Sequence, residues 1–332
     1  MGKLKNLQGL ILTIEQLASN EPENRTLIGW YTKRLDINIR LTGGEVIDLR
    51  SALGALFLRL LRNLDSLEVL VVGECLDQTW LCPSVSHSWG PKLQILNYQH
   101  DDPILGSLDT EVWVCFLRSH PHIISLKPSL TRLSKKPFAP LGFSHSLLSY
   151  STYNMNPIPI TLFTSLQKLG ISLYESLYTR PDWQDHFITR PLPSLTVLQL
   201  NFLRGVSPDL SAVRGLIHRF MPNLQRINLV LSTWPAIWLE GIFPETVKVL
   251  GVRICSTRPS KQLARFLLQK LAEIVHHHGS RDPLVVHFLD RGTLDGLLPH
   301  REYLMRHAQK EGDILERWID CDGCECRISN MQ

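Results

Sequence analysis

The stretch MPNLQRINLVL, Met221 to Leu231, decides the fold. Its apolar residues Leu224, Ile227, Leu229 and Leu231 are spaced by three and then by two, which fits neither the 3.6-residue period of a helix nor a plain alternating strand. A short strand entered from a bend explains both intervals. Ile227 and Leu229 point the same way because strand side chains alternate, and Leu224 turns in from the preceding bend. Arg226 and Asn228 then fall on the opposite side.

The same LxxLxL spacing returns along the chain. It begins at Leu7 in LQGLIL, Leu67 in LEVLVV, Leu93 in LQILNY, Ile123 in IISLKP, Leu166 in LQKLGI, Leu195 in LTVLQL, Leu224 in LQRINL and Val247 in VKVLGV. The steps between these starts are 60, 26, 30, 43, 29, 29 and 23 residues. Several copies follow a similar lead: DSL, PKL, TSL, PSL or PNL. The first gap spans about two periods, and RLDINIR at Arg34 to Arg40 supplies the strand it lacks, with Leu35, Ile37 and Ile39 alternating. PLVVHFL at Pro283 to Leu289 is a tenth candidate. The long step holds the proline- and serine-rich stretch Lys127 to Ile160, which reads as a degenerate repeat or an insertion loop.

One such unit cannot bury its apolar face alone, whereas stacked units share a continuous core. Between the strands lie segments with apolar spacing of three and four: DLRSALGALFLRLLRNL from Asp48, DTEVWVCFLRSH from Asp109 and DLSAVRGLIHRF from Asp209. Each opens on an acidic residue suited to a helix N-terminus. Strand, loop and helix thus alternate, and the strands are expected to be parallel. Eight residues after the first leucine of a unit, Cys75, Cys255, Thr131, Ser232 and Asp101 supply small or polar groups for the turn, while Glu15, Leu203 and Tyr174 depart from that rule.

On these motifs the chain resembles leucine-rich-repeat proteins, and its irregular units led by P-N-L or P-S-L resemble the repeat half of fungal F-box and leucine-rich-repeat proteins. The resemblance covers about residues 4 to 290 and implies an α/β solenoid, with a curved parallel sheet on the concave side and helices on the convex side. It further implies substrate recognition within a ubiquitin-ligase system. Docking to a Skp1-like adaptor belongs to the F-box of that family. The first repeat begins at Leu7, which leaves no space for an F-box within this sequence.

Composition agrees with a folded chain. Of 332 residues, 44% are hydrophobic and 20% charged, unlike a disordered sequence. The 35 basic and 31 acidic residues leave +4, scattered without long runs, so nothing calls for nucleic acid or an anionic membrane. Seven cysteines are too few and too dispersed for a secreted disulfide scaffold and point to reduced thiols inside the cell, cytoplasmic or nuclear. Gln8, Glu15 and Gln16 interrupt the apolar N-terminal stretch, which argues against a signal peptide. Gly2 lacks the Ser or Thr at position 6 that myristoylation favours. Leu53 to Leu61, the densest apolar run, contains Arg59 and is too short to span a membrane.

Catalytic signatures are absent from the sequence: there is no GxSxG elbow, HExxH pair, Walker loop or GxGxxG after a strand. Ser144 and His145 are adjacent in GFSHS, a poor arrangement for a nucleophile and its base, and Asp101 and Asp102 read as a solvated turn. His276, His277 and His278 with Gly279 suit the end of a helix over Ser260 to His278. Trp234 and Trp238 read as packing between turns, or as an aromatic contact patch. The main alternative to a binding module is CDGCEC, where Cys321, Cys324 and Cys326 are spaced as CxxCxC. A metal- or thiol-dependent protein would use these sulfurs, with His300 or His307 completing a tetrahedral set. The plainer reading is a free-thiol tail, without cofactor.

The expected organisation is a solenoid over 1–290 with an insertion at about 127–160, then a helical cap and Cys-containing tail over 291–332. The expected function is a noncatalytic protein–protein interaction scaffold. Its recognition face consists of the side chains alternating with the core leucines: Asp36, Asn38, Arg40, Asn97, Gln99, Lys168, Gln199, Asn201, Arg226, Asn228 and Arg253. Such an array of polar groups of both charge signs suits a protein partner better than a small buried substrate.

Overall fold

The computed structural model describes residues 32–37, 52–72, 81, 88–98, 108–128, 131–132, 145–153, 160, 163–173, 188, 190–202, 210–231, 244–254, 269, 271, 284–289 and 318–319. The chain forms two units, Met1–Thr152 with Asn156–Ser165, and Tyr153–Met155 with Leu166–Gln332. Both are α/β and both are built on parallel strands.

The first unit contains β1 (Arg34–Ile37), α1 (Ala52–Arg62), β2 (Val69–Val72), β3 (Ile95–Tyr98), β4 (Leu108–Asp109), α2 (Thr110–Ser119), β5 (Ser125–Lys127), β6 (Thr131–Arg132) and most of β7 (Ser149–Tyr153). Its sheet runs β1-β2-β3-β5-β7, and β4 pairs in parallel with β6 as a separate ribbon. The second unit contains β8 (Lys168–Leu173), β9 (Val197–Phe202), α3 (Leu210–Phe220), β10 (Arg226–Leu231), β11 (Val249–Ile254), β12 (Val285–Phe288) and β13 (Trp318–Ile319), with the strands side by side in chain order.

Register explains the repeat. In the second unit Leu169, Leu198, Ile227, Leu250 and Val286 stand opposite one another, and two residues on Ile171, Leu200, Leu229, Val252 and Phe288 do the same. All ten are at most 1% exposed, as are the leading residues Leu166, Leu195, Leu224 and Val247. In the first unit Leu35, Leu70, Leu96, Leu126 and Tyr150 are aligned in the same way. Each leucine so buried contributes roughly 1.5–3 kcal/mol, and because neighbours share the layer, no single unit holds its own core. The leading copy at Leu7 lies outside the described residues.

The lead-in tripeptides are β-turns. Backbone N–H to C=O bonds close Leu64 to Leu67, Gly90 to Leu93, His120 to Ile123, Leu192 to Leu195, Met221 to Leu224 and Pro244 to Val247. Pro91, Pro121, Pro193 and Pro222 take the second position of these turns, where the fixed φ of proline fits. One residue past the leading leucine, a single carbonyl then receives two consecutive N–H groups of the next strand. Thr196 O accepts from Gln225 and Arg226, and Gln225 O accepts from Lys248 and Val249. Glu68, Gln94, Ile124 and Gln167 do likewise.

The stretch read as a degenerate repeat or an insertion contains β7, and its pattern is LxxYxT. Leu147, Tyr150 and Thr152 are buried in the leucine positions. Leu148 and Ser149 donate to the Ile124 carbonyl, as the paired N–H groups leading into β3, β5, β9, β10 and β11 do to theirs. The long step between Ile123 and Leu166 is therefore divided by a strand whose core residues are an aromatic and a hydroxyl. Thr131, expected to bond a turn, lies in β6. Trp318 and Ile319, within the stretch expected to be a helical cap, pair in parallel with Val286 and His287.

The three expected helices form and bury one face each: Phe57, Leu60, Leu61 and Leu64 around α1; Trp113, Phe116, Leu117 and His120 around α2; Val213, Leu216, Ile217 and Phe220 on α3. Trp113 meets Tyr98 of β3 edge-on at 6.1 Å, which puts α2 on the leucine side of its sheet. Asp109 immediately precedes α2, while Asp48 and Asp209 lie outside the described residues. Within Ser260 to His278, Gln269 and Leu271 are described; both are helical and Leu271 is fully buried.

Polar ties join successive turns. His120 is buried in stacking contact with Phe116, and its Nε2–H donates to the Trp89 carbonyl at 3.1 Å. His145 is buried in turn and its Nε2–H reaches the His120 carbonyl at 3.4 Å. In the second unit Asn223 Nδ2 donates to Pro193 O at 2.8 Å. His145 thus has a structural place, and burial holds its pKa below the ordinary 6.5 against the opposing bond to His120.

Candidate partner-binding face

The residues between the core positions form the open face of each sheet. In the second unit they make three rows across the strands. The first row is Lys168, Val197, Arg226, Val249 and Val285; the second is Gly170, Gln199, Asn228, Gly251 and His287; the third begins Ser172, Asn201, Val230 and Arg253. Lys168, Gln199, Asn201, Arg226, Asn228 and Arg253, all expected from the alternation, are on this face.

The side chains are held in two hydrogen-bonded chains. Gln199 Nε2 donates to Asn201 Oδ1 at 2.9 Å, and Asn201 Nδ2 donates to Ser172 Oγ at 3.1 Å. Arg226 Nε donates to Asn228 Oδ1 at 2.7 Å, and its Nη2 reaches His287 Nδ1 across β11. Since guanidinium has only donors, Nδ1 of His287 is the acceptor and this nitrogen carries no proton. Gly251 makes the reach possible. A Cβ there would collide with Asn228 Oδ1 and would come within 2.9 Å of Leu289 Cδ2. Asn228 is only 7% exposed, and Arg226 is partly buried, which lowers its pKa from the usual arginine value. Lys168 and Arg253 are exposed.

In the first unit the open face is different in kind. Asp36, Val71, Asn97 and Lys127 share one row, and Arg34, Val69, Ile95, Ser125 and Ser149 share the next. Asp36 forms an exposed ion pair with Arg34 at 3.0 Å, and Lys33 pairs with Glu68 at the same distance. Asn97 is partly buried, with Oδ1 lacking a hydrogen-bond partner. Asn38, Arg40 and Gln99 lie outside the described residues.

The expected face omits Arg34, Lys127, Ser172 and His287, although each alternates with core residues. The phase of PLVVHFL carried the signal for His287, which stands between the buried Val286 and Phe288. Lys127 holds the same place after Ile123 as Asn97 does after Leu93, and Ser172 stands two residues beyond Gly170, in line with Asn201.

Among the described residues no three His, Cys, Asp or Glu side chains gather as a metal site, and no helix is long and apolar enough to cross a membrane. Cys321, Cys324 and Cys326 lie outside the described residues, with His300, His307, Trp234, Trp238, Ser144, Asp101, Asp102 and the run His276 to Gly279. The arrangement on β8–β12 offers oriented donors, acceptors and cations on one side of the sheet. In comparisons with known proteins, no family model matches the chain and no curated protein matches its sequence.

Proposed function

We propose that the strands are turns of a leucine-rich-repeat solenoid and that the chain is a noncatalytic interaction module docking a protein partner on its open sheet face. The observation that carries this reading is the order of the polar side chains on β8–β12. Ser172, Asn201 and Gln199 are linked in one chain and Arg226, Asn228 and His287 in another. Side chains already fixed lose less entropy on binding than free ones, so a preorganised polar array favours association. In this proposal the partner is the substrate of an F-box type ubiquitin ligase, presented by this chain as the recognition arm.

A photo-crosslinking residue placed at Lys168, which is exposed on this face, and another at Asn223, exposed in a turn, test the docking. The expected result is a discrete crosslinked partner from position 168 only. Equal crosslinking from both positions overturns the open face as the docking surface. Co-purification of a Skp1-like adaptor with the full-length gene product tests the ligase role, and its consistent absence from such complexes overturns that role alone.

A further inference from the structure

The five strands Lys168–Leu173, Val197–Phe202, Arg226–Leu231, Val249–Ile254 and Val285–Phe288 contain no aspartate or glutamate, yet their open side carries Lys168 and Arg226. Both ion pairs among the described residues belong to the first unit. The central cation is the telling one. Arg226 is partly buried, and both of its hydrogen-bond acceptors, Asn228 Oδ1 and His287 Nδ1, are neutral.

A guanidinium withdrawn from water without a carboxylate costs free energy that a bound anion can recover. Two of its five N–H groups are engaged, which leaves donors for a carboxylate in the fork geometry that arginine favours. Lys168 stands on the same row two strands away, roughly 10 Å at ordinary strand spacing. Carboxylates three residues apart in an extended, polyproline-type segment are separated by about 9 Å, so one segment lying across the strands reaches both cations. Val197 lies between them in register and offers an aliphatic floor. Apart from the His287 imidazole, which is tied to Arg226, no aromatic side chain occupies the open positions of these strands, so a row of stacking rings for successive bases is missing there.

We infer that the open face of β8–β12 takes an acidic segment of a protein partner, with Arg226 gripping a carboxylate at its centre. This rests on the docking proposal above and narrows it to one chemistry.

The test is selection of a random-peptide phage library on the full chain, followed by fluorescence anisotropy with the winning peptides. Winners rich in Asp and Glu are expected. Replacing their acids by amides, or introducing Lys168→Glu, is expected to weaken binding about tenfold, with Arg226→Gln costing more. Lys168 is exposed, so its reversal reports on binding even where the Arg226 variant folds poorly. Neutral winners that are lost on Asn201→Arg overturn the acidic chemistry while keeping the open face as a docking surface. Winners insensitive to both Lys168→Glu and Asn201→Arg overturn both. An oligouridylate that binds more tightly than the acidic peptides, and is released by Lys168→Glu, reassigns the face to nucleic acid and overturns the inference.

Discussion

His145 shows how a residue that looks chemical in sequence becomes structural in place. Its neighbour in GFSHS invites a nucleophile and base, but the ring is buried and its Nε2–H is directed at the His120 carbonyl. Burial lowers its pKa, so the native state resists taking the proton that the unfolded chain accepts near the ordinary value of 6.5. The sign follows directly: its contribution to stability is fully present above about pH 6.5 and is lost as pH falls below it, towards the depressed folded value. Urea unfolding at pH 7.5 and 5.5 is expected to show a drop in stability that His145→Gln diminishes, and an identical drop in that variant contradicts the assignment. The leucine positions were legible because burial demands one chemistry at one spacing. Arg226 meeting His287 was not: the two are 61 residues apart, and their contact depends on the missing Cβ of Gly251 between them.

Elements were legible where the repeat used leucine, isoleucine or valine. β10 and β9 follow from LQRINL and LTVLQL, and the turns before them follow from PNL and PSL. β7 escaped because Tyr150 and Thr152 fill core positions, so no apolar pattern marks LLSYST. β12 was recognisable from phase, and β13 was not, since Trp318 and Ile319 are too few to show a period. The turns have their own test. Pro222 follows Met221, whose carbonyl closes the turn with Leu224 N, and the proline pre-sets the backbone there. Pro222→Ala is expected to lower stability by about 0.4–1 kcal/mol through the freedom it gives the unfolded chain. Denaturant midpoints measure this, and a stabilised variant counts against the turn.

At the scale of the molecule, each unit is a stack in which a strand offers one side to its neighbours' leucines and keeps the other open. The sequence revealed that division because the same spacing recurs, with each copy adding to one shared layer. The chemistry of the open side was only partly visible, since the hydrogen bonds among its side chains depend on register between strands far apart in sequence. The division is tested most directly at adjacent residues of β10, Leu229 on the core side and Val230 on the open side. Equilibrium urea unfolding of Leu229→Ala is predicted to show a loss of about 2–5 kcal/mol, and that of Val230→Ala a loss within about 1 kcal/mol. Equal losses at the two positions, or a larger loss at Val230, contradict the account.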